Sequence, residues 1–217
     1  MKDFVFRSAL ALALVFLACD LLPTNEFEPT GTQFNINSDI NVISITGNPD
    51  LSPNGPFTLG LTIVSRTSSN ATDVLPAGLL LKRRVNNTQH MLLLKPHAIT
   101  AGTTNGVALL GTFCCNKLRA SPDAGDTFDI GPVTDNSGLQ QIVSLVQNKD
   151  ISGGSNMWMV QRAVYMVTDS TGLTQAYIDS LNALPSASTD QNPAGERGAR
   201  RTLRVRPNGK DNGHPAD

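Results

Sequence analysis

The chain has 217 residues, of which 40% are hydrophobic and 16% are charged. This length and composition fit one folded domain with appendages, and they exclude a wholly disordered protein. Seventeen basic and eighteen acidic side chains leave a net charge of −1. No strong field therefore attracts nucleic acid, and a nucleic-acid partner is not expected.

The first eighteen residues have the features of an export signal. Lys2 and Arg7 precede an uncharged run at residues 8–18. This run is shorter than the about 20 apolar residues that a membrane-spanning helix needs, so it indicates a signal peptide at residues 1–18. We therefore expect an exported protein.

The run ends in Phe16-Leu17-Ala18-Cys19, which resembles the bacterial lipobox. The resemblance implies that Cys19 is lipidated and anchors the protein to a bacterial membrane, facing the periplasm or the cell surface. The alternative is ordinary cleavage, with Cys19 lost or left as a free thiol. Residues 19–33 contain two prolines and are expected to form a tether between the lipid and the folded domain.

Short strands are predicted in residues 34–115. Apolar residues alternate with other residues, most clearly from Phe57 to Ile63, and turn residues separate the runs. Asn86-Asn87 stands where a hairpin connection would. The predicted strands are 34–37, 40–46, 57–66, 79–85, 91–95 and 107–115. Several short strands at this spacing favour an antiparallel β-sandwich of immunoglobulin-like or related architecture.

Residues 122–185 are expected to be mainly helical. Residues 139–146 place apolar side chains three or four positions apart, behind a capping-box pattern formed by Ser137 and Gln140. Residues 157–167 are apolar nearly all round, which favours a buried helix, with a buried strand as the alternative.

A third helix is predicted to begin after Thr174 and to end at Pro185. Residues 186–217 contain almost nothing apolar and are expected to be a disordered tail. The predicted fold class is thus α+β. One globular domain at 34–185 holds an antiparallel β-sandwich at 34–115, followed by a segment of three helices.

Two adjacent cysteines remain once Cys19 is assigned to the lipid. The Cα atoms of Cys114 and Cys115 lie about 3.8 Å apart, below the about 4.4–6.8 Å that unstrained disulfides prefer, so a bond between them is not expected. Neighbours on a strand point to opposite faces. We expect Cys115 to face the sandwich core and Cys114 to face the covering helices.

A family resemblance is carried by two segments. They are Phe113-Cys114 with Asn116, Pro122, Gly125 and Phe128, and the later run Val160-Gln161-Arg162-Ala163-Val164-Tyr165. Together they resemble the thioester domains of bacterial surface adhesins, which have an aromatic-Cys motif and a later Thr-Gln-x-Ala-Ile/Val-Trp motif. The resemblance implies that the Cys114 sulfur attacks the Gln161 side-chain carbonyl and releases ammonia. An amine on a protein or polysaccharide ligand then opens the internal thioester.

Elementary chemistry is compatible with this pairing. Attack by sulfur on an amide requires the two groups to be held together in a site that excludes water. A buried amide without partners costs about 1–3 kcal/mol, so Gln161 has to be either hydrogen-bonded or consumed. The open alternative is a glutamine bonded to backbone groups, with Cys114 behaving as a small hydrophobic residue.

Other chemistry has no candidate in the sequence. His90 and His97 lack metal-ligand spacing, and no catalytic triad or phosphate-binding loop is found. We therefore expect no metal, no cofactor and no enzymatic activity. The predicted function is that of a lipid-anchored envelope protein acting as a binding or adhesion module, with a Cys114–Gln161 thioester. The alternative is a passive structural envelope lipoprotein without covalent chemistry.

Overall fold

The computed structural model describes residues 26–187, apart from residues 49, 51, 53, 86 and 170. The predicted signal peptide, Cys19 and most of the predicted tail lie outside the described residues. Asn86 of the predicted hairpin connection does so as well.

Nine strands and three helices are found in the described part of the chain. The strands are β1 Gly31–Gln33, β2 Ile40–Asn48, β3 Phe57–Ser65, β4 Ala71–Leu75, β5 Leu79–Arg83, β6 Met91–Leu92, β7 His97–Ala101, β8 Gly106–Cys114 and β9 Phe128–Thr134. The helices are α1 Ser137–Val146, α2 Gly154–Thr168 and α3 Gln175–Asn182.

Seven of the strands form one sheet in the order β1-β9-β5-β6-β8-β3-β2, and β4 pairs with β7 separately. All of these strand pairings are antiparallel. The three helices follow the last strand in the chain. The prediction of an α+β fold, with an antiparallel sandwich-like arrangement and a helical C-terminal segment, is confirmed.

Alternating side chains divide the interior into two cores, one on each face of the large sheet. The first core joins residues of the two sheets, such as Leu61 and Ile99. The second core joins the sheet residues Leu80 and Phe113 to the helices, for example to Val160. The large sheet therefore lies between the two cores, and the helices cover one of its faces.

The predicted helices are present, with one change at a helix start. Residues 157–167 lie in α2, so the helix and not the alternative strand is correct. Thr174 caps α3, as predicted. At α1, however, the cap is Asn136, whose side chain accepts hydrogen bonds from the backbone N–H groups of Gly138 and Leu139. Asparagine is a strong N-cap residue, and here it takes the place predicted for Ser137.

Several boundaries differ from those predicted. Residues 34–37 are not a strand, and the neighbouring Gly31–Gln33 pairs with β9 instead. Strand β9 lies in the part expected to be mainly helical. At the other end, the backbone of Ala187 donates a hydrogen bond to Asn148. The folded body thus extends beyond 34–185 in both directions.

Residues 26–33, here called the N-terminal strap, were expected to belong to the tether. The Glu26 carboxylate instead pairs with Arg83 at 2.6 Å and with Arg119 at 2.8 Å. Phe27 packs against the second core, and its carbonyl accepts a hydrogen bond from the Asn116 side chain. These partners lie 57 or more positions away in sequence, which explains why local composition did not reveal them.

No helix of the described chain combines the length and the hydropathy needed to cross a bilayer.

Candidate functional site

The structure brings Cys114 and Gln161 into direct contact. Cys114 is the last residue of β8, and Gln161 lies in the middle of α2. Cys114 is 0% exposed and Gln161 is 1% exposed. Two residues 47 positions apart in sequence therefore meet in a site closed to solvent. Cys19, the third predicted site residue, lies outside the described residues.

The contact consists of two hydrogen bonds between the Gln161 carboxamide and the Cys114 backbone. The Cys114 N–H donates to Gln161 Oε1 at 2.9 Å. Gln161 Nε2 donates to the Cys114 carbonyl at 2.8 Å. Both lengths are those of well-formed hydrogen bonds. The carboxamide thus pairs with Cys114 as a peptide group of a neighbouring strand would.

Strand register explains why this position is open to a side chain. Thr112 of β8 pairs with Phe57, the first residue of β3. Cys114 lies two residues further along β8 and pairs with Met91 of β6 on its other side. Because β3 has already ended, the backbone groups of Cys114 need another partner, and Gln161 supplies it.

The prediction of which cysteine faces the helices is wrong. Cys114 belongs to the first core, between the sheets, whereas Cys115 and Phe113 belong to the second core, under the helices. Alternation requires only that neighbours point to opposite faces. Both sides of β8 carry apolar residues, so the pattern could not indicate which side the helices cover.

Helix α2 reaches both cores, and so it still meets the Cys114 side chain. Val160 is buried in the second core, while Tyr165 packs against the first. Tyr165 follows Gln161 by one helical turn, on the same face of the helix. The Tyr165 and Ser121 side chains both interact with the Cys114 thiol and lower its pKa.

The thiol is protonated at neutral pH. Burial raises the pKa of the Cys114 thiol to about 12, and the interactions with Tyr165 and Ser121 offset this only in part. Burial also raises the pKa of Tyr165. Both groups therefore hold their protons, and a reaction of the sulfur requires the thiol proton to leave as the new bond forms.

Gln89 supports the site from the other side. Its side-chain nitrogen donates to the Tyr165 hydroxyl at 3.4 Å and to the Arg119 carbonyl at 2.9 Å. Its side-chain oxygen accepts from the backbone N–H of Asn116 at 2.9 Å. Gln89 thereby fixes both the ring of Tyr165 and the segment that follows Cys115. Sequence reasoning missed Gln89 and Ser121, because neither belongs to a motif or a periodic run.

A cavity of about 470 Å³ opens beside the pair. It is lined by Lys117, Trp158, Gln161, Arg162, Tyr165, Met166, Asp169 and Thr171. Six of these residues lie in α2 or at its C-cap, spaced three or four apart as one helix face requires. Gln161, although 1% exposed, is thus one of the residues that border this cavity.

The arrangement can stabilise charge on the amide oxygen. If sulfur attacks the Gln161 side-chain carbon, negative charge develops on Oε1. The Cys114 N–H donates to that atom at 2.9 Å, and a backbone N–H donor stabilises negative charge that develops on such an oxygen. The described residues contain no group of three or more His, Cys, Asp or Glu side chains that could hold a metal ion.

No family model matches the chain, and no curated protein or solved structure matches it.

Proposed function

We propose that this protein is an exported binding module, anchored to a bacterial membrane through lipid on Cys19, that captures ligands through a Cys114–Gln161 thioester. The observation that carries the proposal is the buried contact between the Gln161 carboxamide and Cys114. Export and anchoring are supported by the lipobox-like sequence ending in Cys19.

Thioester formation exchanges one bond for another. The Cys114 sulfur attacks the Gln161 side-chain carbon, the carbon–nitrogen bond breaks, and ammonia leaves with the thiol proton. The paired backbone of Cys114 holds the amide in place, and its N–H stabilises the charge on Oε1. Exclusion of water protects the product from hydrolysis.

Ligand capture reverses the roles of the two residues. An amine of a protein or polysaccharide attacks the thioester carbon, and the carbon–sulfur bond breaks. The sulfur regains a proton, and the ligand is held through an amide on residue 161. The chain acts once per molecule, as an adhesion module rather than as an enzyme.

A second function is favoured by the same two hydrogen bonds. They satisfy both the oxygen and the nitrogen of the Gln161 side chain, so the glutamine needs no covalent role to be stable in the interior. In that case the protein is a structural envelope lipoprotein, and Gln161 only completes the edge of β8.

Methylamine distinguishes the two functions. Incubation with methylamine, followed by peptide mass spectrometry, is expected to give an N-methyl amide at Gln161 in the wild-type chain. The Cys114→Ala variant is the control and should give none. A wild-type chain with an unmodified Gln161 would leave only the structural role.

A further inference from the structure

The cavity beside Gln161 bears on which ligand reaches the thioester. Two of its lining residues are cationic, Lys117 and Arg162, and one is anionic, Asp169. The lining charge is therefore 2 − 1 = +1. Within the part of the chain that the structure describes, no ion pair neutralises Lys117 or Arg162.

This charge disfavours lysine side chains as ligands. A lysine amine has a pKa of about 10.4 and is cationic at neutral pH. It must approach a cationic lining and also lose a proton before it can attack. A hydroxyl group carries no charge, so the cationic lining does not repel it, and its proton leaves only as the new bond forms.

Trp158 gives the cavity a flat apolar wall. Its side chain is 56% exposed, and its ring lies edge-to-face against Phe57 with the ring centres 6.1 Å apart. The exposed part of the indole presents apolar surface to the C–H groups of a pyranose ring, which carry partial positive charge. Asp169 and Thr171, on the same lining, can bond to hydroxyl groups.

The α2 spacing places these groups on the same helix face as Gln161. Trp158 precedes Gln161 by three residues, and Arg162 and Asp169 follow it by one and eight. Trp158, Gln161 and Asp169 thus share the face of α2 that lines the cavity. A sugar on Trp158 would lie within one helical turn of Gln161.

We infer that the ligand captured at Gln161 is a neutral or acidic saccharide, joined through a hydroxyl group as an ester; this rests on the proposed thioester. The hydroxyl oxygen attacks the thioester carbon, and the carbon–sulfur bond breaks. The hydroxyl proton passes to the Cys114 sulfur, so the thiol is restored. The predicted capture by amines is then a side reaction of small amines rather than the main function.

The test is a competition on the full chain purified in detergent. The protein used is one whose intact mass is one ammonia below the calculated mass, as the thioester requires. It is incubated with maltotriose and Nα-acetyl-lysine together at equal concentrations, and the two adducts are quantified by mass spectrometry. The expected main product is a maltotriose adduct at Gln161. Alkaline hydroxylamine should remove it, because an oxygen ester is cleaved under conditions that leave an amide intact.

Variants locate the binding surface. Trp158→Ala should lower the ratio of maltotriose to lysine adduct about tenfold, and Trp158→Phe should restore most of it. Lys117→Glu changes the lining charge from +1 to −1 and should shift the ratio toward lysine. Val107→Ala, at an exposed residue outside the cavity lining, is the control and should keep the wild-type ratio.

The two proposals fail in different ways. Protein that carries the thioester but forms lysine amides and no maltotriose ester would overturn the saccharide inference and leave the thioester standing. Protein without the ammonia deficit would overturn the thioester, and the inference with it.

Discussion

At the scale of single residues, Gln161 has partners that its sequence context does not reveal. A glutamine in an apolar helix predicts only that some group must satisfy it. The structure supplies that group as the backbone of Cys114, at 2.9 and 2.8 Å. Removal of the amide would leave a buried N–H and a buried C=O without partners, whether or not a thioester forms.

The strength of this contact can be measured without the covalent reaction. In a Cys114→Ala background, where no thioester can form, Gln161→Ala is expected to lower the free energy of unfolding by about 2–4 kcal/mol. Urea denaturation measures this. Gln175→Ala, at an exposed glutamine of α3, is the control and should change it by less than about 0.5 kcal/mol. Equal effects would mean that the paired amide contributes nothing.

His90 is the second residue with a measurable consequence. It is buried, its Nδ1 accepts a hydrogen bond from the Arg83 backbone, and its Nε2 lacks a hydrogen-bond partner among the described residues. Burial, and then the nearby charge of Arg83, lower the pKa of His90 to about 4. Glu26 opposes this shift, Lys82 adds to it, and the exposed Glu28 lies 3.8 Å from Nε2.

The free energy of unfolding should therefore decrease as the pH is lowered below about 6.5. Between about pH 6.5 and 4 the unfolded chain binds a proton at His90 that the folded chain does not, so the free energy of unfolding drops by about 2–3 kcal/mol. Urea denaturation across this range measures the slope. His90→Asn cannot titrate, and its free energy of unfolding should be nearly constant between about pH 6.5 and 5. An equal slope in the variant would exclude His90 as the source.

At the scale of elements, the N-terminal strap is fastened by one carboxylate. Hydrogen bonds from Arg119 and then Arg83 lower the pKa of Glu26 to about 2. The folded pKa lies below the unfolded value of 4.5. The stabilisation is therefore complete above about pH 4.5 and is lost as the pH falls through about 2.

Glu26→Gln is expected to lower the free energy of unfolding at pH 7 by about 1–2 kcal/mol, because the two arginines lose a charged partner. The variant should also lose part of the acid-induced decline below pH 4.5. Denaturation at pH 7 and pH 3 measures both effects. The control is Glu28→Gln. The Glu28 side chain is 68% exposed, so its replacement should change the free energy of unfolding little.

Strand β8 offers a matched pair of glycines. A Cβ at Gly111 would collide with Ser52 Oγ and lie 2.7 Å from the Asn54 carbonyl carbon, whereas a Cβ at Gly106 would meet nothing within 4 Å. Gly111→Ala should therefore destabilise the fold by about 1–3 kcal/mol, and Gly106→Ala should not. Thermal or urea unfolding of the two variants decides this. Equal stabilities would contradict the close packing beneath β8.

At the scale of the whole molecule, local patterns predicted the elements better than their arrangement. Apolar residues at every second position predicted β3, and Thr174 predicted the start of α3. Strand order, the strap and the face of Cys114 depend on pairings between distant residues, which no local pattern specifies. The Cys114–Gln161 contact was predicted through the resemblance of two short motifs to a known family, while Gln89 and Ser121 had no signal of their own.

The mass of the intact protein tests the central proposal most directly. The full chain should weigh one ammonia less than its composition and lipid require. Cys114→Ala and Gln161→Ala should each show their calculated masses without a deficit. A wild-type chain at its calculated mass, with Cys114 titrating as a free thiol after denaturation, would contradict the thioester.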